Sequence, residues 1–153
     1  MKLIKKLYCL VLIISIFSCD NDDGFVVQCA AIDYAVPSLL IELQDTSGAN
    51  LLENGTYNPD EVNVTVTETN VSRIAETENG RVIEILLSNT VNSRDATVVL
   101  NDTETDILRL DLNSSSTGFP CFFPIFNVEE ALYNGTVQTI EQLEFNQKIT
   151  VIK

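Results

Sequence analysis

Histidine and tryptophan are absent from this chain of 153 residues. Without histidine there is no Ser-His-Asp or Cys-His nucleophilic arrangement and no histidine-ligated zinc site. Cysteine occurs only four times, too few for a thiolate cage once one is assigned elsewhere. Positive charge is scarce: nine Lys and Arg stand against 22 Asp and Glu. That balance repels nucleic acid and anionic lipid, so no nucleic-acid partner is expected, and no cofactor motif is present. No internal repeat and no low-complexity stretch interrupts the chain.

What the chain does contain is concentrated first at its N-terminus. Lys2, Lys5 and Lys6 precede an apolar run over residues 7–17 that only Ser15 interrupts, the n- and h-regions of a secretory signal. The run is shorter than the about 20 apolar residues that a spanning helix needs. Asp20, Asn21, Asp22 and Asp23 then stop it. An uncleaved N-terminal anchor is the alternative. Ile16-Phe17-Ser18-Cys19 resembles a bacterial lipobox, with an aliphatic residue three before the cysteine and a small one immediately before it. Cys9 is no rival, because bulky Tyr8 precedes it. The resemblance implies that Cys19 is acylated and becomes the mature N-terminus. Two or more buried acyl chains hold a protein stably on a membrane where one does not. The acidic run after Cys19 resembles the surface-export signal of Bacteroidota lipoproteins. It implies an outer-membrane, lipid-anchored and surface-exposed protein, the periplasmic face being the alternative. A merely hydrophilic spacer is the plainer reading of the same residues.

The expected organisation is a cleaved signal over 1–18, an anchor and acidic tether over 19–27, and one domain over 28–153. Cleavage removes three of the nine basic residues and no acid, leaving six against 22 and a net charge of −16. The remaining 135 of 153 residues suit a single domain with a core of its own. Cys29 and Cys121 would lie in an oxidising compartment, where an even pair reads as one disulfide, with two buried free thiols as the alternative. A loop of that span contributes about 4–5 kcal/mol in the chain-entropy description.

Periodicity over the domain is that of strands. Residues 29–36 suggest a short first strand ending at Pro37. Leu39, Ile41 and Leu43 alternate with Leu40, Glu42 and Gln44, the pattern of a half-buried strand. Asp45 to Asn50 is rich in turn residues, and 51–60 carries the chain across. Val62, Val64 and Val66 alternate with polar residues in the clearest strand of the chain. Asn79-Gly80 marks a hairpin between 71–76 and 81–88, and a type I′ turn there needs positive φ at both central residues. Strands are expected at 96–101 and 106–112, a loop at 113–118, then strands at 125–133, 136–140 and 148–152. A second Asn-Gly, at Asn134-Gly135, joins two of these. A helical turn at Glu129-Glu130-Ala131-Leu132 is the lesser alternative to strand there. The spacing predicts an all-β fold, a single antiparallel β-sandwich of immunoglobulin-like type, with a small closed barrel as the alternative. Leu39 to Leu52, a hydrophobic strand followed by Asp, Gly and Leu-Leu, together with Gly55-Thr56-Tyr57-Asn58-Pro59-Asp60, resembles small uncharacterised lipoproteins of the Bacteroidota. The likeness spreads over most of the mature chain, implies the location and the all-β fold, and supplies no catalytic residue.

Chemistry is left to carboxylates. Glu76 with Glu78, Asp102 with Glu104 and Asp106, or Glu129 with Glu130 offer pairs for glycoside hydrolysis. Each sits beside a turn or on an alternating face, where a solvated acidic edge is the plainer reading. Aromatic platforms for sugars are sparse at 7% of residues. Asp102, Glu104 and Asp106, with Asn101, also form a weak calcium candidate, although the EF-hand pattern is missing. The run Phe119-Pro120-Cys121-Phe122-Phe123-Pro124-Ile125-Phe126 reads either as a crossover strand packed on a disulfide or as an apolar loop presenting Phe122 and Phe123 to a partner. The expected function is a noncatalytic, lipid-anchored binding or accessory module of the cell envelope, its ligand a protein or glycan, with a small glycosidase-like hydrolase using paired carboxylates as the alternative. Mass spectrometry of the unreduced protein after alkylation should find Cys29 and Cys121 unlabelled; labelling of both would exclude the disulfide.

Overall fold

The alternating stretches become strands in the computed structural model, which describes residues 36–67, 69–88, 95–115 and 124–153. In chain order these are β1 (Ser38–Gln44), β2 (Asn63–Val66), β3 (Thr69–Asn70), β4 (Ser72–Thr77), β5 (Gly80–Leu86), β6 (Asp95–Val99), β7 (Thr105–Ser115), β8 (Ile125–Tyr133), β9 (Thr136–Val137), β10 (Glu141–Gln142) and β11 (Gln147–Ile152). They form a sheet ordered β10-β11-β1-β5-β4 and a second ordered β3-β2-β6-β7-β8-β9. The sheets face one another across one hydrophobic core and do not close into a barrel. The chain is an all-β sandwich. The strand expected over 29–36 lies, but for Val36, outside the described residues.

One ladder departs from the expected antiparallel arrangement. β1 and β11 run parallel, from Leu39 opposite Gln147 to Gln44 opposite Ile152. Side-chain alternation reports which face a residue occupies and carries no information on strand direction, so the sequence pattern could not reveal this. The same pairing explains a second departure. β1 reads as half-buried, yet its outward-facing Leu40 and Glu42 are only 7% and 6% exposed. β1 lies between β5 and β11, and its outer acid is held by neighbours: Gln44 Nε2 donates to Glu42 Oε1 at 2.8 Å, and Lys148 Nζ lies 3.4 Å from Glu42 Oε2.

Inward, Leu39, Ile41 and Leu43 of β1 meet Ile83 and Ile85 of β5 and Ile149 of β11, all fully buried, with Val64, Val98, Leu108 and Ala131 contributed by the second sheet. Full burial of each large aliphatic side chain stabilises by about 1.5–3 kcal/mol.

The two Asn-Gly turns differ. At Asn134-Gly135 both residues have positive φ, 49° and 75°, as a type I′ turn requires. At Asn79-Gly80 only Gly80 does, at 104°. There Thr77 Oγ1 accepts from Asn79 N–H and donates to Gly80 O, so a side chain closes the loop instead. A Cβ on Gly80 would lie 3.1 Å from Glu53 Cγ, which keeps the position for glycine as firmly as the dihedral does.

β7 runs on to Ser115, into the expected loop, because it pairs with the start of β8 as far as Ser115 opposite Ile125. Between them lies a β-bulge: Asp111 faces Glu130 and Leu112 faces Val128, leaving Glu129 as the extra residue. The helical turn weighed for this stretch does not form. The bulge shifts the alternation so that Val128, Ala131 and Tyr133 face inward while Glu129 and Glu130 are both exposed.

The open sides of the sandwich are stitched by polar contacts rather than by ladders. On one, Gln147 of β11 clamps Val128 of β8: Val128 N–H donates to Gln147 Oε1 at 2.6 Å, and Gln147 Nε2 donates to Val128 O at 2.9 Å. On the other, Val64 N–H donates to Ser72 Oγ at 2.7 Å and Val71 N–H to Val64 O at 2.8 Å. Replacing Gln147 by Leu keeps the volume and leaves both Val128 groups without their partner. Urea unfolding should report a loss of about 2–3 kcal/mol, the cost of buried unsatisfied backbone groups; an unchanged midpoint would show that the clamp is dispensable.

Candidate functional site

The nominated carboxylates have separate fates. Glu76, on β4, has a side chain 82% exposed and lies 3.8 Å from Arg81. It borders a shallow depression of about 390 Å³ together with Asp60 and Arg81, and Glu78 is not among the lining residues. Glu129 accepts a hydrogen bond from Asn113 Nδ2 at 2.9 Å, while Glu130 borders a different hollow with Arg109 and Asp111.

Asp102, Glu104 and Asp106 divide in the same way. Asp102 is exposed on the loop. Asn101 Oδ1 is occupied by the N–H groups of Thr103 and Glu104 and by Thr103 Oγ1, each at 2.9 Å. Glu104 and Asp106 do come together, but on an ammonium: Lys153 Nζ lies 2.6 Å from Glu104 Oε1 and 2.5 Å from Asp106 Oδ2. Around them Tyr57 Oη donates to Glu104 Oε2 at 3.0 Å, Tyr133 Oη to Asp106 Oδ2 at 2.8 Å and Asn134 Nδ2 to Asp106 Oδ1 at 2.7 Å. Where the weak calcium candidate was read, Glu104 and Asp106 form an ion-pair cluster with Lys153, and among the described residues no three acids gather as metal ligands.

The local sequence builds this cluster from three directions. Asp106 projects inward at the start of β7, Tyr133 and Asn134 come from the end of β8 and its type I′ turn, and Lys153 follows β11. Lys153 N–H donates to Gln44 O at 2.9 Å, prolonging the parallel ladder by one step and aiming its side chain across to the second sheet. Burial alone would raise the Asp106 carboxyl; the hydrogen bonds from Asn134, Lys153 and Tyr133, with the charge of Lys153, outweigh it and hold the group below its ordinary value of 3.8. Burial likewise works against the Lys153 ammonium, and its bonds to Asp106 and Glu104 raise it above 10.5 all the same. Tyr133 is pushed far up, by burial first and then by its bond to the Asp106 carboxylate, so its hydroxyl stays a donor. The charges are fixed over the whole physiological range, the opposite of a proton-transfer pair poised near neutrality.

Every described cation is engaged similarly. Arg73 Nε lies 2.6 Å from Glu84, holding that carboxyl below its ordinary range. Arg109 meets Asp95 at 2.6 Å, Arg81 lies near Glu53 and Glu76, and Lys148 bridges Glu42 and Glu141. A hollow of about 430 Å³ is a groove with apolar walls from Val36, Val71, Leu86 and Leu87, bordered by the Arg73–Glu84 pair.

Cys19, Cys29, Cys121, Phe122 and Phe123 lie outside the described residues. From the phenylalanine run, Phe126 packs half-buried against the core. Lys153, Tyr133 and Gln147 had no motif to announce them, and Asn134 was marked only as a turn residue. Scarcity of positive charge was the one available hint for Lys153, because six bases stand among 22 acids in the mature chain.

The stabilising contribution of Asp106, whose value is depressed, is present above the unfolded value and lost as pH falls through the folded one. That of Lys153, whose value is raised, persists up to the ordinary lysine value and is lost only as pH rises through the raised one. Stability is thus level through neutrality and falls below about pH 4. Lys153→Met leaves Asp106 buried without its cation and should cost about 2 kcal/mol at pH 7 with a shallower acid decline. Chemical unfolding across pH checks this, and equal acid slopes in both proteins would refute it. Compared with protein-family models, curated proteins and solved structures, the chain has no match.

Proposed function

We propose that this chain is a lipid-anchored protein of the outer membrane, surface-exposed, whose β-sandwich serves as a noncatalytic binding or accessory module for a protein or glycan of the envelope. The lipobox-like Ile16-Phe17-Ser18-Cys19 and the acidic run after it support the anchoring and the location. The observation that carries the noncatalytic reading is Lys153 seated on Glu104 and Asp106. A glycosidase needs one carboxylic acid with a raised value and a second carboxylate facing it across a cleft. Here Asp106 is held below its ordinary value. A general acid would have to be protonated near neutrality, and hydrogen bonds from Asn134, Lys153 and Tyr133 keep Asp106 ionised.

The absence of histidine leaves no Ser-His-Asp or Cys-His nucleophile and no histidine-ligated zinc. What remains is a rigid acidic body with shallow hollows, well suited to presenting surface. A disulfide between Cys29 and Cys121 would bind the segment nearest the anchor to the domain.

Fractionation of cells carrying the Cys19→Ser variant tests the anchoring. The variant should leave the membrane fraction for the soluble one, and the wild-type protein should carry the added mass of acyl chains at Cys19. Retention of Cys19→Ser on the membrane, or an unmodified wild-type mass, would remove the reading.

A further inference from the structure

Seven large apolar side chains stand exposed among the described residues, and four of them surround one end of the sandwich: Val36 at 53%, Leu86 at 46%, Leu143 at 40% and Phe145 at 65%. Their meeting point is Ser38. Leu86 lies opposite Ser38 in the β1–β5 ladder. Asn146 Oδ1 accepts from both Ser38 N–H, at 3.2 Å, and Ser38 Oγ, at 2.9 Å. Leu143 N–H donates to Asn146 O at 2.9 Å, so the loop carrying Leu143 and Phe145 is closed on itself and fastened to the start of β1. Val36 stands two residues before Ser38. Ile107, Val137 and Ile152, the other three, lie elsewhere: Ile107 and Val137 on the second sheet, Ile152 at the far end of β11.

The described domain begins at this same end. Val36 is 17 residues from Cys19. Seventeen residues reach at most about 60 Å when fully extended, so an acylated Cys19 keeps this end, where the chain enters the sandwich, within that distance of the lipid. Tethering raises the local concentration of the rim at the bilayer, and weak insertion that would not bind a free protein becomes populated. We infer that this end of the sandwich faces the bilayer and that Leu143 and Phe145 seat in its interfacial layer. The inference rests on acylation of Cys19. Leu and Phe suit the boundary between headgroups and acyl chains. Glu144 between them and the −16 charge of the mature chain select a zwitterionic rather than an anionic surface.

The absence of tryptophan makes the test clean. Full-length acylated Phe145→Trp is reconstituted on vesicles of phosphatidylcholine and phosphatidylethanolamine, with and without bromine on the upper acyl chain, and floated. Compared with the same variant carrying Cys19→Ser in solution, its emission should move to shorter wavelength and be quenched by the brominated lipid. A parallel Val137→Trp protein, labelled on the second sheet, should show neither change. Floated Phe145→Trp protein with the emission of the soluble form overturns this inference alone. So does a soluble form already shifted, which would mean that the rim is covered by protein, and so does equal quenching at both positions. Protein that does not float counts against acylation of Cys19 and against this inference together.

Discussion

The last strand holds the two sheets together by polar contacts at both of its ends. At its start Gln147 clamps the N–H and C=O of Val128 across the open side of the sandwich. Just beyond its end Lys153 reaches Glu104 and Asp106 on the opposite sheet. Between these points β11 lies parallel against β1, the strand most deeply buried. Hydrophobic burial drives the sheets together without specifying how they align, because it is non-directional. Hydrogen bonds to buried partners are directional and costly to break, so these two ties select one alignment from many that would bury similar area.

Charge sets the second constraint. Each of the five described cations, Arg73, Arg81, Arg109, Lys148 and Lys153, lies beside at least one acid. The exposed pair of Arg109 and Asp95 adds little to stability, since water and salt screen it. Lys148 and Lys153 differ: each has a side chain less than one-fifth exposed and each answers a carboxylate that is itself buried. Among the described residues most other acids face outward and give the sandwich an acidic surface. A surface of that kind fits a module held at a membrane by its own anchor better than one that must find an anionic ligand by attraction.

The bulge at Glu129 joins fold to chemistry. Two adjacent glutamates offer an acid–base pair or one turn of helix, and a solvated edge of a strand is the plainer reading. In the sandwich they are the signature of an extra residue in β8, which turns Val128, Ala131 and Tyr133 inward and lets both carboxylates face water. Tyr133 then meets Asp106, and Val128 meets Gln147. A single inserted residue thereby places a hydrogen-bond partner in each of the two ties that β11 depends on.

The residues alone determined the all-β class, most strand positions and the Asn-Gly turns, because alternation and turn chemistry are local properties of the chain. They also carry the entire argument for the anchor at Cys19, which is a matter of order along the chain rather than of shape. Tertiary structure decided the rest. The parallel course of β11 and the double burial of β1 depend on which strands become neighbours, and alternation says nothing of neighbours. The use of Glu104 and Asp106 was equally hidden. With Asp102 they make three alternating acids that suit a hard cation, and only the arrival of a lysine, 47 residues beyond Asp106, makes Glu104 and Asp106 structural instead.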